Sequence, residues 1–376
     1  MNNLTTPLTY NYRRFYIVIS LSLLLAFLLL PGLWQLLTSQ GKPNPWVNFS
    51  IHQTRTASEV VIHWPLVAWH DRTGWPQPTT VMLKNLETGG LQDLSTEFPC
   101  NLIGTNFGDL ALHGEWLVGV FACEFYAPYE IHALNLNSRE LIVLPPAPGL
   151  PPEQKYAAEP TIYGNIIVWQ QHNWEMTRSD LFLFDLQSQT VITLTQPPPS
   201  VVDWHPELYE DWLAWYRRNL GTGESFIRLY NLNSSEQITI PVTVNQHTWV
   251  SLDDQYVIWD DWRNGTSDIY GYDLINRQEV AFVAGPFSQS DGVLHEGLLL
   301  YIDSEPPRTL RMYHLDSQQT YVLFQQPPQH DLRRQIGLYQ GTAVWIDGGY
   351  IATGQTIIYG ARQLPKRFYL PIVGRP

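Results

Sequence analysis

Polar side chains that could bind or catalyse recur at one position of a repeated pattern in the 376-residue chain. Each lies nine to twelve residues before the end of a short apolar segment. The set comprises Asp109, Glu159, His205, His247, Asp291 and Arg334. Carboxylates and imidazoles that converge on an axis could hold a divalent cation or a small polar ligand. The alternative is that they cap strand starts and hydrogen-bond neighbouring repeats, or hold water in a central channel.

A second set is aromatic and follows the same apolar segments by three to seven residues. Its members are Trp75, Phe125, Tyr126, Trp174, Trp262 and Tyr350. They lie near the carboxylates Asp71, Asp261 and Asp347. Exposed rings beside carboxylates suit stacking on sugars or anchoring a peptide. The alternative is that the rings cover sheet edges, while Arg263 pairs with a nearby aspartate.

The chain contains two cysteines, Cys100 and Cys123, near the ends of strands predicted in neighbouring repeats. In a radial arrangement both ends emerge on the same face, so a disulfide is geometrically possible in an oxidising compartment. Two free buried thiols are the alternative.

Motifs of common enzyme classes are absent from the sequence. It has no Gly-x-Ser-x-Gly elbow, no phosphate-cradling glycine loop and no His-Glu-x-x-His pair. The paired carboxylates Asp260 and Asp261 share one loop, whereas glycosidase carboxylates face each other across a cleft. We therefore predict no catalytic residues, no metal and no cofactor.

The apolar segments themselves define the architecture. Their last residues, called anchors below, are Trp69, Gly119, Trp169, Trp215, Trp259, Tyr301 and Trp345. Successive anchors lie 42 to 50 residues apart, and an Asn/Asp-Leu pair answers most of them at a similar distance. A period of this length indicates repeated β units arranged radially. The glycine at position 119 marks a degenerate copy.

Each copy predicts four strands, because a polar turn separates each short apolar or alternating run from the next. The predicted fold is therefore all-β: a seven-bladed β-propeller of four-stranded antiparallel blades, preceded by one N-terminal transmembrane helix. The predicted repeats lie near 58–98, 106–148, 156–198, 201–243, 246–285, 289–328 and 333–365, within a propeller at 47–365. Either residues 47–53 or residues 368–373, in the tail 366–376, could supply the strand that closes the ring.

The segments IVWQQ (167–171) and VIWDDWRNGTSDIYGYDL (257–274) resemble the TolB-like and WD-repeat-like propeller modules of bacterial envelope proteins. The shared pattern is an aliphatic-aromatic strand, Asp, Arg, a Gly turn and Ile-Tyr-x-x-Asp-Leu. The resemblance covers roughly residues 55–362. It implies the propeller fold but does not choose a function, since such modules serve as scaffolds, peptidase gates and a few lyases.

Composition and the N-terminus predict a location outside the cytoplasm. Residues 15–37 form an apolar stretch preceded by Arg13 and Arg14, long enough for a transmembrane signal anchor. Residues 1–14 are then cytoplasmic and residues 38–46 form a linker. A cleaved signal peptide, which would give a secreted protein, is the alternative. The net charge of −13 argues against nucleic acid as a partner.

Two functional hypotheses follow. The preferred one is a membrane-anchored, extracytoplasmic, non-catalytic module that binds or scaffolds a protein segment or an envelope glycan on the face with the long loops. The alternative is a lyase or hydrolase acting on a small polar substrate at the mouth of the propeller channel. His205 and His247 support that alternative only if they converge with a carboxylate.

Overall fold

Strands dominate the residues described by the computed structural model, which are 44–72, 79–98, 110–122, 128–149, 156–244, 248–328, 330–348 and 355–364. The helical element found among them is the 3₁₀ turn Ser95–Glu97. In these ranges no helix has the length and apolarity to cross a bilayer. The predicted span 15–37 lies outside the described residues. The predicted all-β class is confirmed.

The chain first forms β1, Trp46–Thr54, and then two four-stranded sheets. One sheet contains β2 Ala57–His63, β3 Leu66–Arg72, β4 Thr79–Asn85 and β5 Leu91–Asp93. The other contains β6 Leu110–His113, β7 Trp116–Phe121, β8 Glu130–Asn135 and β9 Leu141–Val143. Strands consecutive in the chain pair antiparallel in both sheets.

An eight-stranded sheet consists of two units with this same meander. The first unit is β10 Tyr156–Tyr163, β11 Ile166–His172, β12 Ser179–Asp185 and β13 Thr190–Thr193. The second is β14 Val201–Tyr209, β15 Trp212–Asn219, β16 Ser225–Asn231 and β17 Gln237–Val242. The parallel contact between Ser179 and Val202 joins the two units. Each unit otherwise repeats the antiparallel order of the preceding sheets.

Two more four-stranded sheets follow. One contains β18 Val250–Leu252, β19 Tyr256–Asp261, β20 Asp268–Asp273 and β21 Gln278–Val283. The other contains β22 Gln289–His295, β23 Leu298–Asp303, β24 Thr309–His314 and β25 Gln319–Gln325. Their strand order is again sequential and antiparallel.

The last sheet combines both ends of the described chain. It contains β26 Asp331–Tyr339, β27 Thr342–Gly348 and β28 Thr356–Gln363, and β1 pairs antiparallel with β28. The N-terminal segment therefore provides the fourth strand of this sheet. Residues 368–373, the alternative source, lie outside the described residues.

The first strands of the repeats surround a common axis. The strands β2, β6, β10, β14, β18, β22 and β26 each contact the next, and β26 contacts β2. The aromatic anchors are buried between the sheets, as Trp69, Trp169 and Trp345 illustrate. Every residue of β27 is buried, because a central strand is covered by a sheet on each face. The anchors thus belong to the core.

The degenerate repeat keeps its aromatic core by moving it along the strand. A Cβ added at Gly119 would lie 2.9 Å from the ring of Phe121, so the ring occupies that space. Phe121 is fully buried and stacks on Phe98 at 4.3 Å between ring centroids. The missing aromatic anchor is therefore compensated two residues later.

Candidate functional site

An axial cavity of about 470 Å³ lies among the first strands of the repeats. Alternate residues of a strand share a face, so each first strand presents a series of positions along the cavity. We name three layers by the number of residues that separate their members from the anchor of the same repeat. Residues ten before the anchor form the mouth layer, residues eight before it form the middle layer, and residues six before it form the floor ring.

The members of each layer can be read from the repeat. The described members of the mouth layer are Glu59, Glu159, His205, Trp249, Asp291 and Gln335, and Asp109 at the same position lies outside the described residues. The middle layer comprises Val61, Ala111, Thr161, Glu207, Ser251, Val293 and Gly337. The floor ring comprises His63, His113, Tyr163, Tyr209, Asp253, His295 and Tyr339.

Backbone strain marks the mouth layer. Glu59, Glu159, His205 and Asp291 have φ of 51°, 51°, 54° and 58°. Each lies at a register shift between the first and second strands of its repeat, so it is the extra residue of a β-bulge. A non-glycine residue in the left-handed region costs on the order of 1 kcal/mol. The same strained conformation thus recurs at polar residues beside the cavity.

Contacts between neighbouring repeats connect the mouth layer. His205 Nδ1 lies 2.6 Å from Glu159 Oε2, and both side chains are buried. The His205 backbone N–H donates to the same Glu159 oxygen at 3.1 Å. The imidazole also lies 3.9 Å from the Trp249 ring, measured between centroids. Two of the residues predicted from sequence are therefore brought into direct contact.

The other carboxylates of the mouth layer have local partners. Glu59 Oε2 lies 3.3 Å from His70 Nδ1. Ser290 Oγ donates to Asp291 Oδ2 at 2.7 Å, and the Asp291 backbone N–H donates to Asp260 Oδ2 at 3.2 Å. Both Glu59 and Asp291 line the cavity. The described part of the mouth is thus acidic.

Glu207 in the middle layer differs from these carboxylates. Its side chain lines the cavity, and no hydrogen bond or ion pair joins it to another described residue. Glu207 is half-buried and keeps some accessible surface where it lines the cavity. Burial raises the pKa of its carboxyl to about 8. The group can therefore exchange a proton near neutral pH.

Two hydroxyl groups occupy the equivalent positions on the strands flanking Glu207. Thr161 Oγ1 on β10 accepts a hydrogen bond from the Leu208 backbone N–H at 3.2 Å. Ser251 is the middle residue of β18, and its Oγ likewise accepts a hydrogen bond from the Leu294 backbone N–H at 3.0 Å. Both residues line the cavity. The middle layer therefore has a polar side around Glu207, while its remaining members are apolar or small.

Six of the seven floor-ring residues, all except Asp253, form a circuit of aromatic contacts. The distances between ring centroids are 4.4 Å for His113–Tyr163, 5.1 Å for Tyr163–Tyr209, 6.2 Å for Tyr209–His295, 4.4 Å for His295–Tyr339, 4.1 Å for Tyr339–His63 and 4.6 Å for His63–His113. The Tyr209–His295 contact spans two repeats, so these side chains converge on the axis.

Desolvation keeps the histidines and tyrosines of the floor ring neutral near pH 7. Burial, with the neighbouring imidazoles of His113 and His295, lowers the pKa of His63 to about 4. Burial also lowers the pKa of His113 and His295. It raises the pKa of the tyrosines Tyr163, Tyr209 and Tyr339. The two ends of the cavity therefore differ in charge.

Of the predicted aromatic loop residues, Trp174 is the most exposed described one, at 66 % of its surface. Its ring lies 5.6 Å from that of Tyr156, which in turn packs on Tyr129 and His172. Trp262 is half-buried, and its backbone N–H donates to the Thr243 carbonyl at 2.6 Å. Trp174 thus forms the exposed edge of an aromatic cluster.

The carboxylates near these aromatic residues have partners. Arg263 donates to both oxygens of Asp261, at 3.0 and 2.8 Å. Although burial opposes it, hydrogen bonds from Arg263 and Trp259 lower the pKa of Asp261. Thr54 Oγ1 donates to Asp71 at 2.6 Å. His330 Nδ1 lies 2.8 Å from Asp347 Oδ2. These contacts stabilise the loops.

Several predicted residues lie outside the part of the chain that the structure describes. They are Asp109, His247, Trp75, Phe125, Tyr126, Tyr350, Cys100 and Cys123. Arg334 belongs to β26, at the register shift between Leu332 and Ile336. Within the described ranges no three His, Cys, Asp or Glu side chains are grouped so that they could hold a metal.

Sequence reasoning missed the middle layer and the floor ring. Glu207 follows His205 by two residues, and strand alternation would have placed it one layer deeper. The floor ring had a clear signal, since six of the seven residues that precede an anchor by six are His or Tyr. Glu59 was missed although it precedes Trp69 by the same ten residues that separate Glu159 from Trp169.

Comparison with known structures identifies the fold. No family model and no curated protein matches the chain. The β-propeller domain of the trilobed protease from Pyrococcus furiosus aligns with a TM-score of 0.59 and 11 % identity, over 87 % of this chain and 100 % of that one. These similarities place the described repeats in the class of β-propellers.

Two other similar structures are enzymes. A puromycin-hydrolyzing peptidase from Mycobacterium tuberculosis aligns with a TM-score of 0.59 and 16 % identity, over 78 % of this chain and 49 % of that one. An oligogalacturonate lyase solved with manganese aligns with a TM-score of 0.55 and 13 % identity, over 81 % and 87 % of the two chains. The chain spans about half the length of the peptidase. Identities this low define the fold alone.

Proposed function

We propose that the chain is a seven-bladed β-propeller that acts as a non-catalytic binding module, with the axial cavity as its ligand site. Two of the blades are the halves of the eight-stranded sheet. The observation that carries the proposal is an axial cavity whose lining includes the carboxylates of Glu59, Glu207 and Asp291. Its volume of about 470 Å³ falls in the range of small-molecule pockets. A small polar ligand, or the end of a larger partner, enters through the mouth.

The aromatic cluster at Trp174 extends this surface toward a larger partner. An exposed tryptophan held by Tyr156 offers a rigid face for a sugar ring or an apolar peptide side chain. It belongs to the loop between β11 and β12, and loops on a rigid scaffold commonly carry binding residues. A protein segment or envelope glycan is the partner class that we propose here.

The N-terminal segment anchors the module in the membrane in this proposal. Residues 15–37 are apolar, and Arg13 and Arg14 keep the preceding end in the cytoplasm. The resemblance of the segment 257–274 to TolB-like modules is the reason for proposing a place in the bacterial envelope. Protease treatment of intact spheroplasts tests this orientation: the propeller should be digested from outside, and full protection would contradict it.

The binding proposal is tested by filling the cavity. The full chain is screened by thermal shift against small amines, carboxylic acids, amino acids and monosaccharides. The variant Ala111→Phe places a ring in the middle layer, and Gln278→Phe places the same ring on the exposed outer strand β21. Ligands that stabilise the wild type and Gln278→Phe should not stabilise Ala111→Phe. Equal stabilisation of all three proteins would refute the cavity as the site.

An enzyme is a second candidate because Glu207 can exchange a proton near neutral pH. A lyase or hydrolase needs a group of this kind as general acid or base. Propellers that are similar in fold occur in peptidases and in a lyase. The test is whether a bound ligand is converted to product by the wild type. If it is, and if Glu207→Gln binds the ligand but forms no product, the protein is an enzyme rather than a binding module.

A further inference from the structure

We propose that the axial cavity binds a primary alkylammonium group, held by Glu207, Thr161 and Ser251. This inference deepens the proposed function and rests on it, since it takes the cavity as a ligand site. It names the chemistry of the group that enters, whether that group belongs to a free amine or to a lysine side chain.

The number and geometry of acceptors fit an ammonium group. Thr161, Glu207 and Ser251 occupy equivalent positions on three neighbouring first strands, and all three line the same cavity. The two hydroxyl oxygens each accept one backbone hydrogen bond and retain a second lone pair. A primary ammonium has three N–H donors and no acceptor. Three oxygen groups therefore match it.

The charge of the cavity favours a cation. Glu207, Glu59 and Asp291 line it, and the described lining residues include no lysine, arginine or histidine. The histidines of the floor ring have lowered pKa values, so they stay neutral near pH 7 and do not repel a cation. An anion would meet carboxylates at the mouth and would find no basic partner among these residues.

The rest of the cavity suits the alkyl chain. Opposite the polar side, the middle layer consists of Val61, Ala111, Val293 and Gly337. These side chains offer apolar surface and leave room, because none is larger than valine. At the mouth the indole of Trp249 lines the wall. The face of this ring can make a cation–π contact with an ammonium ligand that enters the cavity, or with a second positive charge on the same ligand.

Protonation of Glu207 gives a specific signature. In the empty cavity its pKa is about 8, so an ammonium ligand binding below pH 8 must displace the proton. Affinity should therefore rise by about tenfold per pH unit between pH 6 and 8. The other titratable groups of the described layers and their partners are Glu59, His63, His70, His113, Glu159, Tyr163, His205, Tyr209, Asp253, Asp260, Asp291, His295, Glu296 and Tyr339.

The experiment compares butylammonium with butanol, its neutral analogue, by isothermal titration calorimetry on the full chain. Butylammonium should bind and butanol should not. Glu207→Gln should weaken butylammonium binding by roughly 30-fold or more and remove its pH dependence. Glu207→Asp keeps the charge and should retain part of the affinity. Nα-acetyl-lysine methylamide, used in parallel, distinguishes a lysine side chain from a free amine as the source.

The outcomes separate this inference from the proposed function. If butanol binds as tightly as butylammonium, or if affinity falls as pH rises, the ammonium assignment is wrong even though the cavity binds ligands. The same holds if only carboxylic acids or sugars bind and Ala111→Phe blocks them. If ligands of every class bind Ala111→Phe as well as the wild type, the proposed function itself fails. The comparison of the two wild-type titrations needs no variant to fold.

Discussion

The two ends of the axial cavity are built on the same strands, four residues apart, yet they differ in backbone and charge. Four mouth-layer residues, three carboxylates and one imidazole, lie at β-bulges with positive φ, and the imidazole contacts one of the carboxylates. The floor ring lies where the pairing of first and second strands is regular, and its histidines and tyrosines are neutral near pH 7. The bulge, rather than the strand itself, separates a polar entrance from an aromatic base.

The difference shows how one repeat supplies two environments. A regular strand turns every second side chain toward the axis, so bulky residues at one depth meet in a ring. A bulge adds one residue and redirects the chain, and the added residue places its polar side chain beside the next repeat. Glu159 reaches His205 across 46 residues of sequence in this way. Variants at each depth test whether the contrast has these causes.

The largest effect is expected at Glu207, between the two ends. Its pKa of about 8 when folded, against 4.5 when unfolded, means that the folded state holds a proton between these values. The free energy of unfolding therefore falls as pH rises from 4.5 to 8. Because glutamine does not titrate, the free energy of unfolding of Glu207→Gln should exceed that of the wild type by up to about 4 kcal/mol at pH 8.5. Urea unfolding at pH 5 and 8.5 measures this difference.

The matched control for that measurement is Glu210→Gln, an exposed carboxylate in the turn after β14. It should leave the pH dependence of the wild type unchanged. Identical pH slopes for Glu207→Gln and the wild type would show that Glu207 is solvated, and the electrostatic account of the cavity would be wrong.

A smaller effect is expected when the mouth layer is broken at Glu159. Glu159→Ala removes the buried partner of His205 and keeps the strained backbone, so it should cost about 2–3 kcal/mol. Glu159→Gly removes the same partner but tolerates φ of 51°, so it should cost about 1 kcal/mol less. Chemical denaturation of both variants gives the comparison. A glycine variant less stable than the alanine variant would argue against strain at the bulge.

The floor ring should respond to acid. The pKa of His63 is lowered to about 4, so the unfolded state binds a proton below pH 6.5 while the folded state does not. The free energy of unfolding falls as pH decreases from about 6.5 to 4. His63→Phe should reduce that fall by on the order of 1 kcal/mol, discounted because the side chain is half-buried. Thermal unfolding between pH 7 and 4 follows it, and an unchanged acid slope would contradict a neutral floor.

The smallest effect concerns a single hydrogen bond in the floor ring. The Tyr339 hydroxyl lies 3.2 Å from His63 Nε2. Tyr339→Phe should therefore cost about 0.5–1 kcal/mol. The matched control is Tyr209→Phe, because no hydrogen bond joins the Tyr209 hydroxyl to another described residue. Equal denaturation midpoints for the two variants would mean that the hydroxyl contact contributes nothing.

The repeat made much of the fold predictable. Period and apolar runs predicted four strands per copy, and burial of Trp169 and Trp345 agrees with their interpretation as core. Which segment closes the ring was not predictable, because the pairing of β1 with β28 depends on contacts between distant parts of the chain. No local pattern in residues 47–53 distinguishes them from residues 368–373.

The site was less predictable than the fold because its contacts join different repeats. The position of Glu159 in its strand was visible, but its partner His205 lies in the next repeat. The bulges were hidden because an extra residue is invisible to a pattern of period two. Glu207 carries no motif, and its raised pKa arises from the enclosing wall. Residues such as Asp109 and His247 remain predictions, since they lie outside the described residues.

Pairing of the first strand with the last one imposes an order on biosynthesis. Thr356 Oγ1 donates to the Arg55 carbonyl across 301 residues of chain, and the β1–β28 ladder lies beside this bond. While the chain is being made, β1 has no partner until β28 has emerged. Its unpaired edge is exposed to other chains for that entire time. The emergence of β28 from the ribosome, rather than that of the earlier strands, therefore decides when the ring closes and its edge is protected.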